Sequence, residues 1–320
     1  MNISDYLKKI GFRQNPFDEC VFMKRDMIVL LYVDDILVMS PSLEEIHWLE
    51  AELKAKYGDV ESVYAEMFTY LGVLLSRQED GSIHLSMPQY VEDIIRSVNG
   101  IKEYSSPADE HLFDEDPTAK ALEPTKQKAF HSTVMKLMYM AKRVRGDVLL
   151  PVLWLSTKVK FPTTSDEDKL KRVIGYLKRT RNKCKVISIN MIERVEMFID
   201  ASFASHDDGA GHYALVTFVG TTATILKSPK QKIGTKNSTE AELVALSDLY
   251  LVGLWLHSFL QSLGVPLEKP IIYQEIVNKI KAYSLKKNLP GQQVNHRSST
   301  VPPQQQAQKS PPKRKKACYV

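Results

Sequence analysis

Residues 29–38 read "VLLYVDDILV", two acidic side chains set in the middle of an apolar, β-branched run. Apolar stretches of this length on either side of a polar break predict two short strands, Ile28 to Tyr32 and Ile36 to Met39, around a tight turn at Val33 to Asp35. Adjacent side chains of a strand point to opposite faces, but a turn relaxes that rule and can direct an acid into a cleft. Two carboxylates a few ångströms apart resist joint ionisation unless a divalent cation neutralises them. The stiff strands on either side suit a site whose ligands must be held in place, although an Asp-Asp pair can also be a plain solvated turn.

The remaining pattern mixes strands and helices. Ser42 can cap a helix running to about Tyr57, with Glu45 as its capping-box partner. Tyr70 to Ser76 and Ser82 to Ser86 flank "RQEDG", whose Asp80-Gly81 pair is a hairpin signal. Pro88 suits the first turn of a helix through Val98. "STVMKLMYMAKRV", "DVLLPVLWLSTKV" and "SDEDKLKRVIGYLKRT" have the spacing of three packed helices, in which Met138 and Trp154 are expected as core. A second unit opens near Asn190, with a strand from Val195 to Ile199 that ends at Asp200. Strands His212 to Val219 and Thr222 to Ser228 follow, then a helix from Thr239 to Ser262, a strand from Ile271 to Gln274 and a helix from Val277 to Leu285. Trp255 is expected to be buried on the long helix, and Cys20 and Cys184 as small buried hydrophobes.

Charge is unevenly placed. The chain carries a net +5, but eight Lys or Arg and no acid lie from Lys286 to Val320, so residues 1–285 sum to about −3. Net charge therefore says little about nucleic-acid binding by the folded part. Beyond Asn288 the Gln- and Pro-rich composition cannot form a core and predicts a disordered basic tail. Its block Lys313, Arg314, Lys315 and Lys316 has the make-up of a nuclear import signal or a loose nucleic-acid contact. Three widely spaced cysteines form neither a disulfide framework nor a zinc motif, as expected of an intracellular, reduced protein. There is no signal-peptide pattern and no uninterrupted apolar run long enough to cross a bilayer, and none of this separates nucleus from cytoplasm.

A second acidic pair comes from Asp200 on a strand and Glu242 early on a helix. A strand-borne Asp facing a helix-borne Glu is suitable geometry for holding a divalent metal against a phosphodiester, though spacing alone equally fits surface acids. Lys227, Lys230, Lys232 and Lys236 lie between these two elements. They can track a phosphate backbone or form a solvated loop.

"IVLLYVDDILVMS", preceded by "KKIGFRQNPFDECVFMK" and followed by "FTYLGVLLSRQEDGSIHLSMPQYVEDIIRSV", resembles the catalytic hairpin region of reverse transcriptases of copia-type LTR retrotransposon Pol polyproteins. "LMYMAKRVRGDVLLPVLWLSTKVKFPTTSDEDKLKRVIGYLKRT" looks like the family's thumb and connection. "FIDASFASHDDGAGHYALVTFVG" with "SPKQKIGTKNSTEAELVALSD" resembles its RNase H domain. The resemblance implies an α+β chain in four parts. Residues 1–105 would be the C-terminal part of the palm with the start of the thumb, and 106–189 the helical thumb and connection. Residues 190–287 would be an RNase H-like mixed-sheet domain, and 288–320 the tail.

By that resemblance Asp34 ligates catalytic Mg2+ or Mn2+ with Asp35 beside it. Tyr32 sits against the primer terminus or incoming nucleotide, and Val33 shapes the turn. Asp200 and Glu242 match the first two nuclease carboxylates, and Glu275 stands where the family places an Asp. The partner is an RNA/DNA hybrid or template-primer. Two departures weaken the chemistry. None of Asp5, Asp18 and Asp26 sits in a context resembling the family's first palm Asp, and Glu275 extends a carboxylate by one methylene, a displacement of the scale that can cost ~100-fold in rate. The expectation is a truncated, partly degraded polymerase and nuclease fragment whose activity is impaired and whose missing palm would come from a longer polyprotein. The alternatives are a non-catalytic nucleic-acid-binding remnant or a product without a selected role.

Overall fold

The computed structural model describes residues 2–58, 60–98, 100–188, 192–206 and 208–274. The expected final helix, Glu275 and the basic tail lie outside the described residues.

The chain opens with a helix, α1 (Ile3–Lys9), capped by the Asn2 side chain, which accepts a hydrogen bond from the Asp5 N–H at 2.8 Å. Four antiparallel strands follow: β1 (Arg13–Gln14), β2 (Val21–Lys24), β3 (Met27–Tyr32) and β4 (Asp35–Met39), hydrogen-bonded in that order. Helix α2 (Leu43–Tyr57) lays Leu49 and Leu53 on this sheet, against Leu7, Phe12, Phe22, Met27 and Val29. Ser42 caps α2 as expected, its hydroxyl accepting from the Glu45 N–H. The Glu45 carboxylate, however, faces the Ser40 hydroxyl (3.1 Å) and Arg25 (3.7 Å).

A second antiparallel sheet contains β5 (Met67–Tyr70), β6 (Val73–Arg77), β7 (Ile83–Ser86) and β8 (Lys185–Ile187). The single strand expected from Tyr70 to Ser76 is thus two. Leu71 and Gly72 take φ of +48° and +75°, the left-handed pair that closes a two-residue hairpin between Tyr70 and Val73. The helices α3 (Pro88–Arg96), α4 (Pro124–Arg143), α5 (Leu149–Lys158) and α6 (Thr164–Arg179) pack on one another, with Val73 of β6 and Leu85 of β7 against them. Their shared core holds Val134, Leu137, Met140, Val152, Leu155, Ile174 and Leu177. Trp154 is buried, and Met138 packs half-buried against this core, as expected.

The third sheet is mixed. Its order is β11 (Thr222–Lys227), β10 (His212–Val219), β9 (Val195–Ser202) and β12 (Ile271–Tyr273), with β12 parallel to β9 and the others antiparallel. A parallel neighbour needs a crossover, and α7 (Ser238–Ser262) supplies it. It packs on the face formed by Val195, Met197 and Ile199, so closely that a Cβ at Gly253 would fall 1.8 Å from the Met197 sulfur. Strand β9 runs to Ser202, so Asp200 lies within it and not at its end. Together these layers make an α+β chain.

Three residues expected to be buried are not. Cys20 is exposed because it sits in the turn leading into β2, where its N–H donates to the Asp18 carboxylate. Cys184, just before β8, is half-buried. Trp255 is 40% exposed, on the side of α7 away from the sheet. Helix α7 is long and apolar enough to cross a membrane by length and composition, yet here its Ala241, Ala245, Leu249 and Leu256 are buried in the protein. Among the described residues it alone passes that test.

Candidate active site

The first acidic pair is held by the β3–β4 hairpin. Tyr32 pairs with Asp35, which leaves Val33 and Asp34 as a two-residue turn. Val33 takes φ of +60°, an unfavourable conformation for a β-branched residue, while its side chain is 79% exposed. A turn that tight projects its residues from the end of the sheet, and Tyr32, Val33, Asp34 and Asp35 are all exposed. The structure therefore brings the four expected residues together at one tip.

Beside that tip runs a groove of about 400 Å3. It is lined by Asp34 and Asp35, by Ile36, Leu37 and Val38 of β4 and by Leu49 of α2. The segment 60–64 also lines it and is pinned to α2, where the Tyr64 hydroxyl donates to Glu50 at 2.5 Å. Hydrogen bonds from Lys54, then Tyr64 and Ser62, hold the Glu50 carboxyl down at about 2, while burial and then the Glu50 hydrogen bond push Tyr64 up to about 12. Tyr70, at the end of β5, donates to the Leu30 carbonyl at 3.4 Å. Burial, then the charge of Asp35, raises its pKa. Tyr64 and Tyr70 went unread in the sequence; only the non-local return of 60–70 onto the hairpin reveals them.

The second acidic pair is less convergent. Asp200 is exposed and, by strand alternation, lies on the opposite face of β9 from Met197 and Ile199, which α7 covers. Glu242, on α7, is 7% exposed. The Gln274 side chain donates to both the Glu242 carbonyl (2.7 Å) and its carboxylate (3.1 Å). Gln274, one residue past β12, is the partner that spacing did not point to. Of the lysines, Lys227, Lys232 and Lys236 are exposed and Lys230 forms an ion pair with Asp208 at 2.6 Å.

Hard divalent cations take several oxygen donors at close range. Among the described residues, no three His, Cys, Asp or Glu side chains gather so as to hold one. Asp34 and Asp35 supply two donors, and Glu242 is hydrogen-bonded to an amide, so neither acidic pair fits a complete metal centre by itself.

The hairpin lies within a region that matches a known family. Residues 1–107 match the family model described as reverse transcriptase (RNA-dependent DNA polymerase). Over 282 residues the chain is 27% identical to the retrovirus-related Pol polyprotein from transposon RE1 of Arabidopsis thaliana, covering 85% of this chain and 19% of that polyprotein. It is 27% identical over 258 residues to a putative transposon Ty5-1 protein of Saccharomyces cerevisiae, covering 77% and 82% of the two chains. A solved foamy viral protease-reverse transcriptase in complex with RNA/DNA hybrid overlays with a TM-score of 0.46 at 14% identity, over 94% of this chain and 40% of that one. The chain spans about a fifth of the RE1 polyprotein, and it is related over most of its length to the Pol polyproteins of copia-type LTR retrotransposons, with a reverse transcriptase match across its first 107 residues.

Proposed function

We propose that this chain is the part of a retrotransposon RNA-directed DNA polymerase and ribonuclease H that carries the Asp-Asp hairpin, and that it binds nucleic acid with little chemistry of its own. The observation that carries this reading is the exposed Asp34–Asp35 tip beside a groove, within the region matched to reverse transcriptase. Residues 1–105 would be the palm portion, 106–189 the thumb and connection, and 190–287 an RNase H-like unit. The third sheet's order and its long crossover helix support the last assignment.

Asp34 and Asp35, and in the second unit Asp200 and Glu242, would contribute donors for Mg2+ or Mn2+ once further donors are present. β4 is the edge of its sheet. Residues 35–38 of β4 line the groove, and a strand added along this edge would stand next to Asp35. The Gln274 hydrogen bonds that occupy Glu242 favour the non-catalytic reading within this pair. The ligand class is an RNA/DNA hybrid or template-primer, with Tyr32 and Val33 at the tip and the exposed lysines 227, 232 and 236 as sequence-independent backbone contacts.

The test is hydrolysis of a labelled RNA/DNA hybrid and extension of a primer, each with Mg2+ or Mn2+. Asp200→Asn and Asp34→Asn are run beside the unaltered chain. Turnover near background is expected in all samples, together with salt-dependent hybrid binding that neither substitution changes. Robust cleavage abolished by Asp200→Asn, or extension abolished by Asp34→Asn, would overturn the impaired reading. Absence of salt-dependent binding would overturn the binding one.

A further inference from the structure

Where the third sheet meets the helical layer, four rings come together. Phe113 arrives from the loop ahead of α4, Trp154 from α5, His206 from the β9–β10 loop and His212 from the start of β10. The two histidines are each 8% exposed. His206 stacks on the Trp154 indole, with centroids 5.3 Å apart and planes 25° apart. Phe113 stands edge-on to Trp154 at 5.2 Å and lies about as far from His206 (6.2 Å) as from His212 (6.1 Å).

The imidazoles are bonded to each other, His206 Nε2 to His212 Nδ1 at 3.1 Å, and His212 Nε2 meets the Ser228 hydroxyl at 2.7 Å. Facing ring nitrogens need one donor and one acceptor. A single proton between them satisfies both; a second sets donor against donor inside a buried seam. The loop folds on itself to present His206, whose N–H donates to the Ala210 carbonyl and whose carbonyl accepts from the Gly209 N–H.

The charged groups around the seam are mostly engaged with one another. From α5, Lys158 lies over the Trp154 ring at 4.5 Å and is ion-paired with Glu115; from α6, Lys169 lies over it at 5.9 Å. In the loop, Asp208 is paired with Lys230. Its carboxyl is held low by that hydrogen bond first, with the charge of His206 a smaller contribution. Protonating the pair therefore adds positive charge to a buried seam whose neighbouring carboxylates, Glu115 and Asp208, are already partnered by lysines.

We propose that this seam is an acid-sensitive latch, in which protonation of the His206–His212 pair releases the β9–β10 loop from Trp154 and loosens the third sheet from the helical layer. Burial, and then the neighbouring His206, push His212 down to about 4 from the ordinary 6.5. A depressed value means the closed latch prefers the neutral ring. Closure is thus at full strength above about pH 6.5 and weakens as the pH falls toward 4. The 2.5-unit separation allows the opening equilibrium to rise by about 80-fold between pH 6.5 and 4, toward a limit of about 300-fold at lower pH.

The full chain has three tryptophans, so a Trp48→Phe/Trp255→Phe background leaves Trp154 as the one indole emitter. Its emission should shift reversibly to longer wavelength between pH 6.5 and 4 while the far-ultraviolet circular dichroism holds. In His206→Gln/His212→Gln on that background the profile should be flat. A flat profile with both histidines present, or the same midpoint without them, overturns the latch. Imidazole proton resonances of the unaltered chain give a check that needs no substitution. His212 titrating at its ordinary 6.5, with no accompanying change at the Trp154 indole, overturns it equally.

Discussion

At the scale of single residues, the hairpin tip holds backbone strain where the acids are displayed. Val33 at φ +60° places a branched Cβ against its own backbone, which costs roughly 1–2 kcal/mol for a non-glycine residue. Glycine would remove the clash but adds up to about 1 kcal/mol of unfolded-chain entropy. Val33→Gly is therefore expected to raise stability by about 0.5–1 kcal/mol, read as a higher urea midpoint at unchanged slope. A lowered midpoint would mean the turn is unstrained. The tip itself was legible from the sequence, because an apolar-acidic-apolar run has few other ways to fold. The groove beside it was not. Tyr64 and Tyr70 reach it through contacts with Glu50 and Leu30, at separations of 14 and 40 residues, which no local pattern encodes. Cys20 was misjudged for a related reason. A lone cysteine gives no period, so its place in a turn could not be told from a place in a strand.

At the scale of elements, strongly periodic segments were read well. The helices over 124–143, 149–158 and 164–179 and the strands β10 and β11 fall within a few residues of expectation, except that α4 begins earlier than "STVMKLMYMAKRV" does. The weak elements escaped. β8 has three residues and forms only because β7 is waiting for it, and the Leu71-Gly72 turn was hidden inside an apolar run. Helix α6 shows tertiary packing overriding local preference. Gly175 lies inside it, where alanine would ordinarily gain up to about 1 kcal/mol in helix propensity. A Cβ there would lie 2.0 Å from the Lys102 carbonyl oxygen and 2.6 Å from the Tyr104 ring. Backbone cannot move aside as a flexible side chain can, and overpacking costs about 1–3 kcal/mol or more. Gly175→Ala should thus lose about 1–2 kcal/mol net, lowering the thermal midpoint by several degrees. An unchanged or raised midpoint would show that the 102–104 segment is free to withdraw.

At the scale of the whole molecule, the N-terminal sheet is tied to the far end of the chain through α7. Asn15, 3% exposed, donates to the Ser262 hydroxyl at 2.6 Å and accepts from the Phe17 N–H at 2.8 Å. The Trp255 indole N–H donates to the Phe17 carbonyl at 3.1 Å, which accounts for an aromatic ring on the uncovered side of α7. A helix that packs one face on the third sheet thereby grips the β1–β2 loop with its last two turns. Three separate cores would otherwise open independently, since local unfolding follows the boundaries of packed units. Asn15→Ala removes a buried donor and acceptor. The Ser262 hydroxyl still donates to the Phe259 carbonyl, so the loss is confined to the tie. A hydrogen bond of this kind contributes about 1–1.5 kcal/mol, close to tenfold in an opening equilibrium. In native-state hydrogen exchange, amides of residues 21–32 should exchange about tenfold faster in Asn15→Ala, with those of 195–202 and 212–219 unchanged. Equal loss in both sheets would make Asn15 a determinant of global stability, and no change in either would show that the grip of α7 rests on Trp255 alone.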